Sequence, residues 1–130
     1  MVSFADFTIQ GDGPIYLQII RFLKRSVVSG AVADGEEMPS RRVLSATLGV
    51  NPNTVQKAYR LLEEEGLIQS HPGAKSFVVL APGRVELIRR QLMEEQAMGL
   101  IAAMRQMGVE KQEALELMVA LWDREGESEG

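Results

Sequence analysis

The stretch NPNTVQKAYRLLEEEGL, residues 51 to 67, constrains the fold more than any other part of this sequence. Asn51 is a favoured N-cap, because its side-chain oxygen can accept a hydrogen bond from a free amide of the first turn. Pro52 follows at the first helical position, where a missing N–H costs nothing and the fixed φ suits a helix. Val55, Ala58, Tyr59 and Leu62 recur at i, i+3, i+4 and i+7, which predicts one buried stripe. Gly66 ends the helix. Off the stripe, near the helix start, lie Asn53, Thr54, Gln56 and Lys57, polar side chains with no obvious partner nearby in the chain. Such a first turn is built to touch something polar.

The preceding elements say what. PSRRVLSATLG predicts a short helix with Ser40 as N-cap, Leu44 and Leu48 on its inner face, and Gly49 as a left-handed stop. Only Val50 separates that stop from Asn51. Upstream, Ile15, Ile19, Phe22 and Leu23 mark an amphipathic helix from Pro14 to Val28, closed by Gly30 and followed by the connector AVADGEEMP. FTIQGDGP begins the ordered chain, with Gly11-Asp12-Gly13 as a turn. After Gly66, LIQS and SFVVL joined by HPGAK predict a β-hairpin with a Pro-Gly turn, and APG at 81–83 breaks the chain. The remainder predicts a long helix from about Arg84 to Met107, a stop at Gly108, and a shorter helix from about Lys111 to Asp123. REGESEG then frays.

Two short helices meeting across a glycine turn form a helix-turn-helix, whose second helix lies in the DNA major groove and reads base edges from its N-terminal residues. Asn53 and Gln56 have the donor–acceptor pair that adenine requires. Thr54 suits a base or a thymine methyl, and Lys57 suits guanine or phosphate. Arg41 and Arg42, in the first turn of the preceding helix, can fork onto the phosphate backbone. His71 and Lys75 at the hairpin tip would form a wing beside it.

Composition excludes much else. The chain has 130 residues, no cysteine and one histidine, so disulfides, thiolate chemistry and histidine-rich metal sites are ruled out. No apolar run reaches the roughly 18 residues of a membrane span, and no secretion signal opens the chain, which reads as cytoplasmic. Net charge is −4. Yet residues 14–80 hold eight basic against six acidic side chains, and residues 81–130 six against ten. A mildly basic middle and an acidic tail suit two different partners. No acid–base pair or nucleophile stands out, Gly11-Asp12-Gly13 lacks what a phosphate loop needs, and no cofactor is implied. Glu63, Glu64 and Glu65 read as a solvated face at the helix end farthest from DNA. The methionines Met93, Met98, Met104, Met107 and Met118 read as packing between helices and across a dimer rather than as a ligand groove.

MPSRRVLSATLGVNPNTVQKAYRLLEEEGLI resembles the winged helix-turn-helix of the GntR transcription-regulator superfamily, and GVNPNTVQKAY is especially similar to its YtrA-like branch. With GPIYLQIIRFLKRSVVSG similar to the family's first helix, the resemblance spans about residues 7 to 80. It implies a phosphate-gripping arginine at Arg42, and DNA contacts from Asn51 through Lys57 and from the wing glycine, Gly73. The chain departs from the pattern at Arg41, where the family often has an acidic residue, and at Lys75, where it has a second glycine. The resemblance also implies that a short helical tail of this kind makes a dimer.

The expected fold is therefore mainly α with a small β-hairpin. Residues 1–82 form a winged helix-turn-helix DNA-binding domain and residues 83–130 a two-helix dimerisation tail. The tail's stripes contain Leu92, Ile101, Met104, Leu115, Met118 and Trp122, which a helix pair cannot bury within itself. The expected function is a homodimeric, sequence-specific transcription regulator, by resemblance a repressor, on an inverted-repeat double-stranded DNA operator. Two alternatives are a winged-helix module that docks on a protein, and a DNA binder whose tail senses a small-molecule effector. An enzyme is not expected.

Overall fold

The computed structural model describes residues 1–11, 13–71 and 75–129, with side chains described to Arg124. Its elements are α1 (Ile15–Val28), α2 (Arg41–Leu48), α3 (Pro52–Glu64), β1 (Ile68–His71), β2 (Lys75–Val78), α4 (Arg84–Gln106) and α5 (Lys111–Glu129). The chain divides into two compact units, Met1–Arg90 and Gln91–Gly130.

In the first unit the caps act where the residue types place them. The Ser40 hydroxyl accepts from Val43 N at 3.1 Å, and Asn51 Oδ1 accepts from Asn53 N at 2.8 Å. Gly49 closes α2 at φ 67°, ψ 35°, a left-handed conformation that strains any residue with a Cβ. The turn is tied once more, since Ser45 Oγ donates to the Val50 carbonyl at 2.6 Å. This fixes how α2 enters α3. The stripe Val55, Ala58, Tyr59 and Leu62 is buried in full; α3 packs on α1, where Ile19, Leu23 and Val27 are buried, and on α2, where Leu44 is buried. Leu67, Ile68 and Val78 close the core beneath the hairpin.

The hairpin is antiparallel, in the register Ile68↔Val78, Gln69↔Phe77, Ser70↔Ser76 and His71↔Lys75. The connector read as loop supplies it with a third edge. Glu37 bridges Phe77, with Met38 N donating to Ser76 O and Val78 N to Glu36 O, each at 2.8 Å. The ordered chain also begins earlier than FTIQGDGP. Val2 and Phe4 are buried, Val2 N donates to Glu37 O at 2.9 Å, and Phe4, Phe7 and Phe22 form a ring cluster. Of the Gly11-Asp12-Gly13 turn, Asp12 lies outside the described residues. So does the hairpin's Pro72–Ala74 turn.

The first two turns of α4 belong to this unit, because Ile88 is buried in its core and Arg84 Nη2 donates to the Glu65 carbonyl at 2.6 Å. That bond satisfies a free carbonyl at the C-terminal end of α3.

The second unit joins the rest of α4 to α5 through Gly108, at φ 76°. Here α5 runs to Glu129 rather than stopping near Asp123. Once a helix is nucleated, each added residue adds one backbone hydrogen bond, so a polar segment can extend it without burying anything. None of residues 91–124 is buried.

Candidate nucleic-acid interface

On α3 the face opposite the buried stripe carries Asn53, Gln56, Lys57 and Arg60, all exposed, at i, i+3, i+4 and i+7. Thr54 is half-buried at the edge of that face. The Asn51 side-chain oxygen is used by its cap, and its NH2 remains as a donor on an exposed residue. The helix has no acidic residue in its first turn, so its N-terminal end keeps a favourable field for an anion. Arg60 belongs to this face and was not among the expected contacts. The same spacing that buries Val55, Ala58 and Leu62 would have found it.

The two arginines of α2 part company. Arg42 is exposed, with no ion pair or hydrogen bond among the described residues. Arg41 turns inward. Its Nη2 donates to Glu63 Oε1 at 3.0 Å and its guanidinium lies 5.1 Å from the centre of the Tyr59 ring, with the side chain 30% exposed. Paired with Glu63 and set beside the Tyr59 ring, Arg41 is less open to a phosphate than Arg42 is. Of the three glutamates read as a solvated face, Glu64 and Glu65 are exposed and Glu63 is half-buried, and each has a basic neighbour. Glu63 holds Arg41, Glu65 pairs with Lys24 at 2.9 Å, and Glu64 lies 4.0 Å from Arg60. The first two pairs fasten the far end of α3 to α2 and α1, while the third lies within α3.

Lys57 is exposed, yet its ammonium sits 4.1 Å from the centre of the Tyr16 ring, a cation–π contact that aims it along the α1 side of the helix. His71 packs edge-on against Phe77, and Lys75 lies 3.5 Å from Glu37. Both remain exposed at the tip rung of the hairpin. Gly73 lies outside the described residues. Tyr59 fixes the frame from within. Its hydroxyl donates to the Pro39 carbonyl at 2.5 Å, and burial holds its proton well above the ordinary tyrosine range, with Arg41 pulling the other way.

Residues 15–78, from α1 to the end of β2, match the model of the gntR family of bacterial regulatory proteins. Over 87 residues the chain is 37% identical to the HTH-type transcriptional repressor YtrA of Bacillus subtilis (strain 168), covering 62% of this chain and 67% of that protein. The chain belongs to the GntR family. A GntR family transcriptional regulator from Listeria monocytogenes shares its fold at TM-score 0.74 and 27% identity, over 86% of this chain and 98% of that one. AraR(DBD), solved in complex with operator ORX1, matches at TM-score 0.50 and 26% identity, over 55% of this chain and 93% of that one. The architecture is thus the GntR winged helix.

In the second unit, α4 and α5 enclose an open apolar groove of about 460 Å³. Of the expected dimer residues, Ile101, Met104, Leu115 and Met118 line it, while Leu92 and Trp122 do not. Ala97, Leu100, Val109 and Ala114 line it as well and were missed. Small and mid-sized residues among larger ones give little sequence signal for a groove. Trp122 is 75% exposed.

Proposed function

We propose that this chain is a sequence-specific DNA-binding transcription regulator that acts as a homodimer on an inverted-repeat operator, as a repressor in the cytoplasm. The observation that carries the reading is the α3 face itself. Exposed Asn53 and Gln56 stand on a helix whose entry is fixed by the Ser45–Val50 and Asn51–Asn53 bonds, with Arg42 exposed on the neighbouring helix. That combination offers base-edge chemistry on a rigid support with a cation nearby for the backbone. The relatives lend support, since YtrA is a repressor by name and AraR(DBD) was solved on an operator.

The homodimer rests on the second unit. Its exposed apolar residues include Met98, Leu117, Val119 and Trp122, more than a monomer of this size leaves uncovered without a purpose. A second copy placed by a two-fold axis would cover the groove and present two copies of α3 to successive major grooves, about 10 base pairs apart or a multiple of that. No effector is part of this proposal.

Selection of random DNA by the purified protein tests it. An inverted repeat should emerge, and affinity should fall by orders of magnitude between about 50 and about 200 mM salt, as an interface with several phosphate contacts requires. Changing Gln56→Ala should relax one position per half-site by about 1–3 kcal/mol. Selection that enriches no sequence, with binding insensitive to salt, contradicts the proposal and favours a protein-docking module.

A further inference from the structure

The wing has only four residues per strand, and two strands alone are marginal in water. Its base is anchored by the buried Ile68 and Val78, and the direction of its tip is set by what holds the two edges above them. On the β2 edge this is backbone: the Glu37–Phe77 bridge and the bond from Met38 N to Ser76 O. On the β1 side the base is held by buried Leu67 and Ile68 and by the bond from Leu67 N to Leu62 O, and above them the hydrogen bond to α3 is made by a single carboxylate. Glu63, in the last turn of α3, accepts from Arg41 Nη2 at 3.0 Å and from Ser70 Oγ, and Ser70 Oγ in turn lies 3.3 Å from Ser76 Oγ. One side chain thus joins the start of α2, the end of α3 and both strands of the wing.

The register sharpens the point. Ser70↔Ser76 is the rung immediately below His71↔Lys75, the tip rung expected to meet DNA. The tether is as close to the tip as the ladder allows without occupying it. Its other end is firm. Arg41 is stacked near Tyr59, whose hydroxyl is itself bonded to Pro39 O, and Arg41 Nε is buried without a partner. What holds the guanidinium is the Glu63 carboxylate and the Tyr59 ring, and its side chain is only 30% exposed. Glu63 also lies ten residues along α3 from Asn53, about 15 Å by helical rise, at the end remote from the base-reading turn. The Arg41–Glu63 pair is neutral as a whole, so it does not attract a phosphate.

We infer that Glu63 is a positioning residue for DNA binding: through Arg41 and Ser70 it sets the angle between the recognition helix and the wing tip. This rests on the DNA-binding reading above. Without the tether the hairpin pivots on its β2 edge, and Lys75 no longer reaches the backbone while α3 sits in the groove.

A double-mutant cycle on an operator recovered by selection tests this, with Ser70→Ala as the first variant. That change cuts the tether to the wing and leaves the Arg41–Glu63 pair in place. In the parent, Lys75→Ala should weaken binding about fivefold, on the order of one lost phosphate contact. In the Ser70→Ala background the same change should cost less than about twofold, because the tip is already displaced. Glu63→Gln should abolish the coupling in the same way, and Ser70→Ala answers the question if that variant fails to fold. A role in stability alone would lower the melting temperature and leave the Lys75 effect unchanged. Equal Lys75 effects in both backgrounds, with the parent binding its operator normally, overturn the positioning role alone. A parent chain that selects no operator overturns the DNA-binding reading and this inference together.

Discussion

In Met1–Arg90 the helices α1, α2 and α3 each send a set of apolar residues into a shared core, although Val43 stays outside it; in α5 Leu115, Leu117, Met118, Val119, Leu121 and Trp122 are spread around the helix and stay exposed. Both regions are helical and both are rich in large apolar side chains. The difference lies in where the partner surface comes from. A stripe on α3 meets α1 and α2 within the same 90 residues, so that unit completes its own core. A helix that is apolar on several faces needs covering from outside, and two helices do not cover each other. One part is finished alone, and the other leaves its apolar faces uncovered, as the proposed dimer requires.

Breaking that contrast begins in the first core. Leu62 is fully buried on α3, and Leu62→Ala should lower unfolding free energy by about 3 kcal/mol. Denaturant titration of the full chain measures this. A loss near zero would mean the first unit is not the independent core described. The next largest effect belongs to the second unit. Trp122→Ala removes a 75% exposed aromatic, and should raise the dimer dissociation constant by about thirtyfold, as a central interface aromatic does. Light scattering over a concentration series reads this. An unchanged dimer would move the interface to the groove residues alone.

Smaller effects sharpen the functional half. Arg42→Ala should weaken binding to all DNA sequences alike, about tenfold at low salt, and lower the salt slope by about one unit. Altered base preference with the slope intact would instead make Arg42 a base reader. Tyr59→Phe removes the bond to Pro39 O and should cost about 1 kcal/mol at neutral pH. The pH dependence follows from the raised Tyr59 pKa, caused by burial. The unfolded chain releases that proton near pH 10, whereas the folded chain retains it. The contribution is therefore full below about pH 10 and lost as pH rises above it. Stability curves of parent and Tyr59→Phe should converge in alkali.

Most of the first unit was legible because its signals are local. Ser40, Gly49, Asn51, Pro52 and Gly66 state helix ends by their own chemistry, and the Val55-to-Leu62 period states a face. What escaped was long-range. Nothing in SRR says that Arg41 finds Glu63, a residue 22 positions away, while its neighbour Arg42 stays outside. Val2 and Phe4 are too few to show a period, and the Glu36–Met38 edge reads as loop because its partners arrive only with β2. In the second unit, helix existence was plain, but a face was not. With apolar residues all around, a stripe can be drawn through several sets, and Leu92 and Trp122 fell outside the groove that Ile101 and Met118 line.

The claim that one unit reads DNA and the other pairs the chains is tested most directly by four titrations: the full chain and residues 1–90, each on the selected operator and on a single half-site. Residues 1–90, which keep Ile88 and the Arg84 cap, are the proper truncation. If a half-site binds on the order of 10 µM and pairing supplies an effective concentration near 1 mM, the full chain should prefer the whole operator by roughly a hundredfold. Residues 1–90 should bind whole and half operators within about twofold of each other, since no linkage remains. Residues 1–90 binding the whole operator as tightly as the full chain would contradict the account.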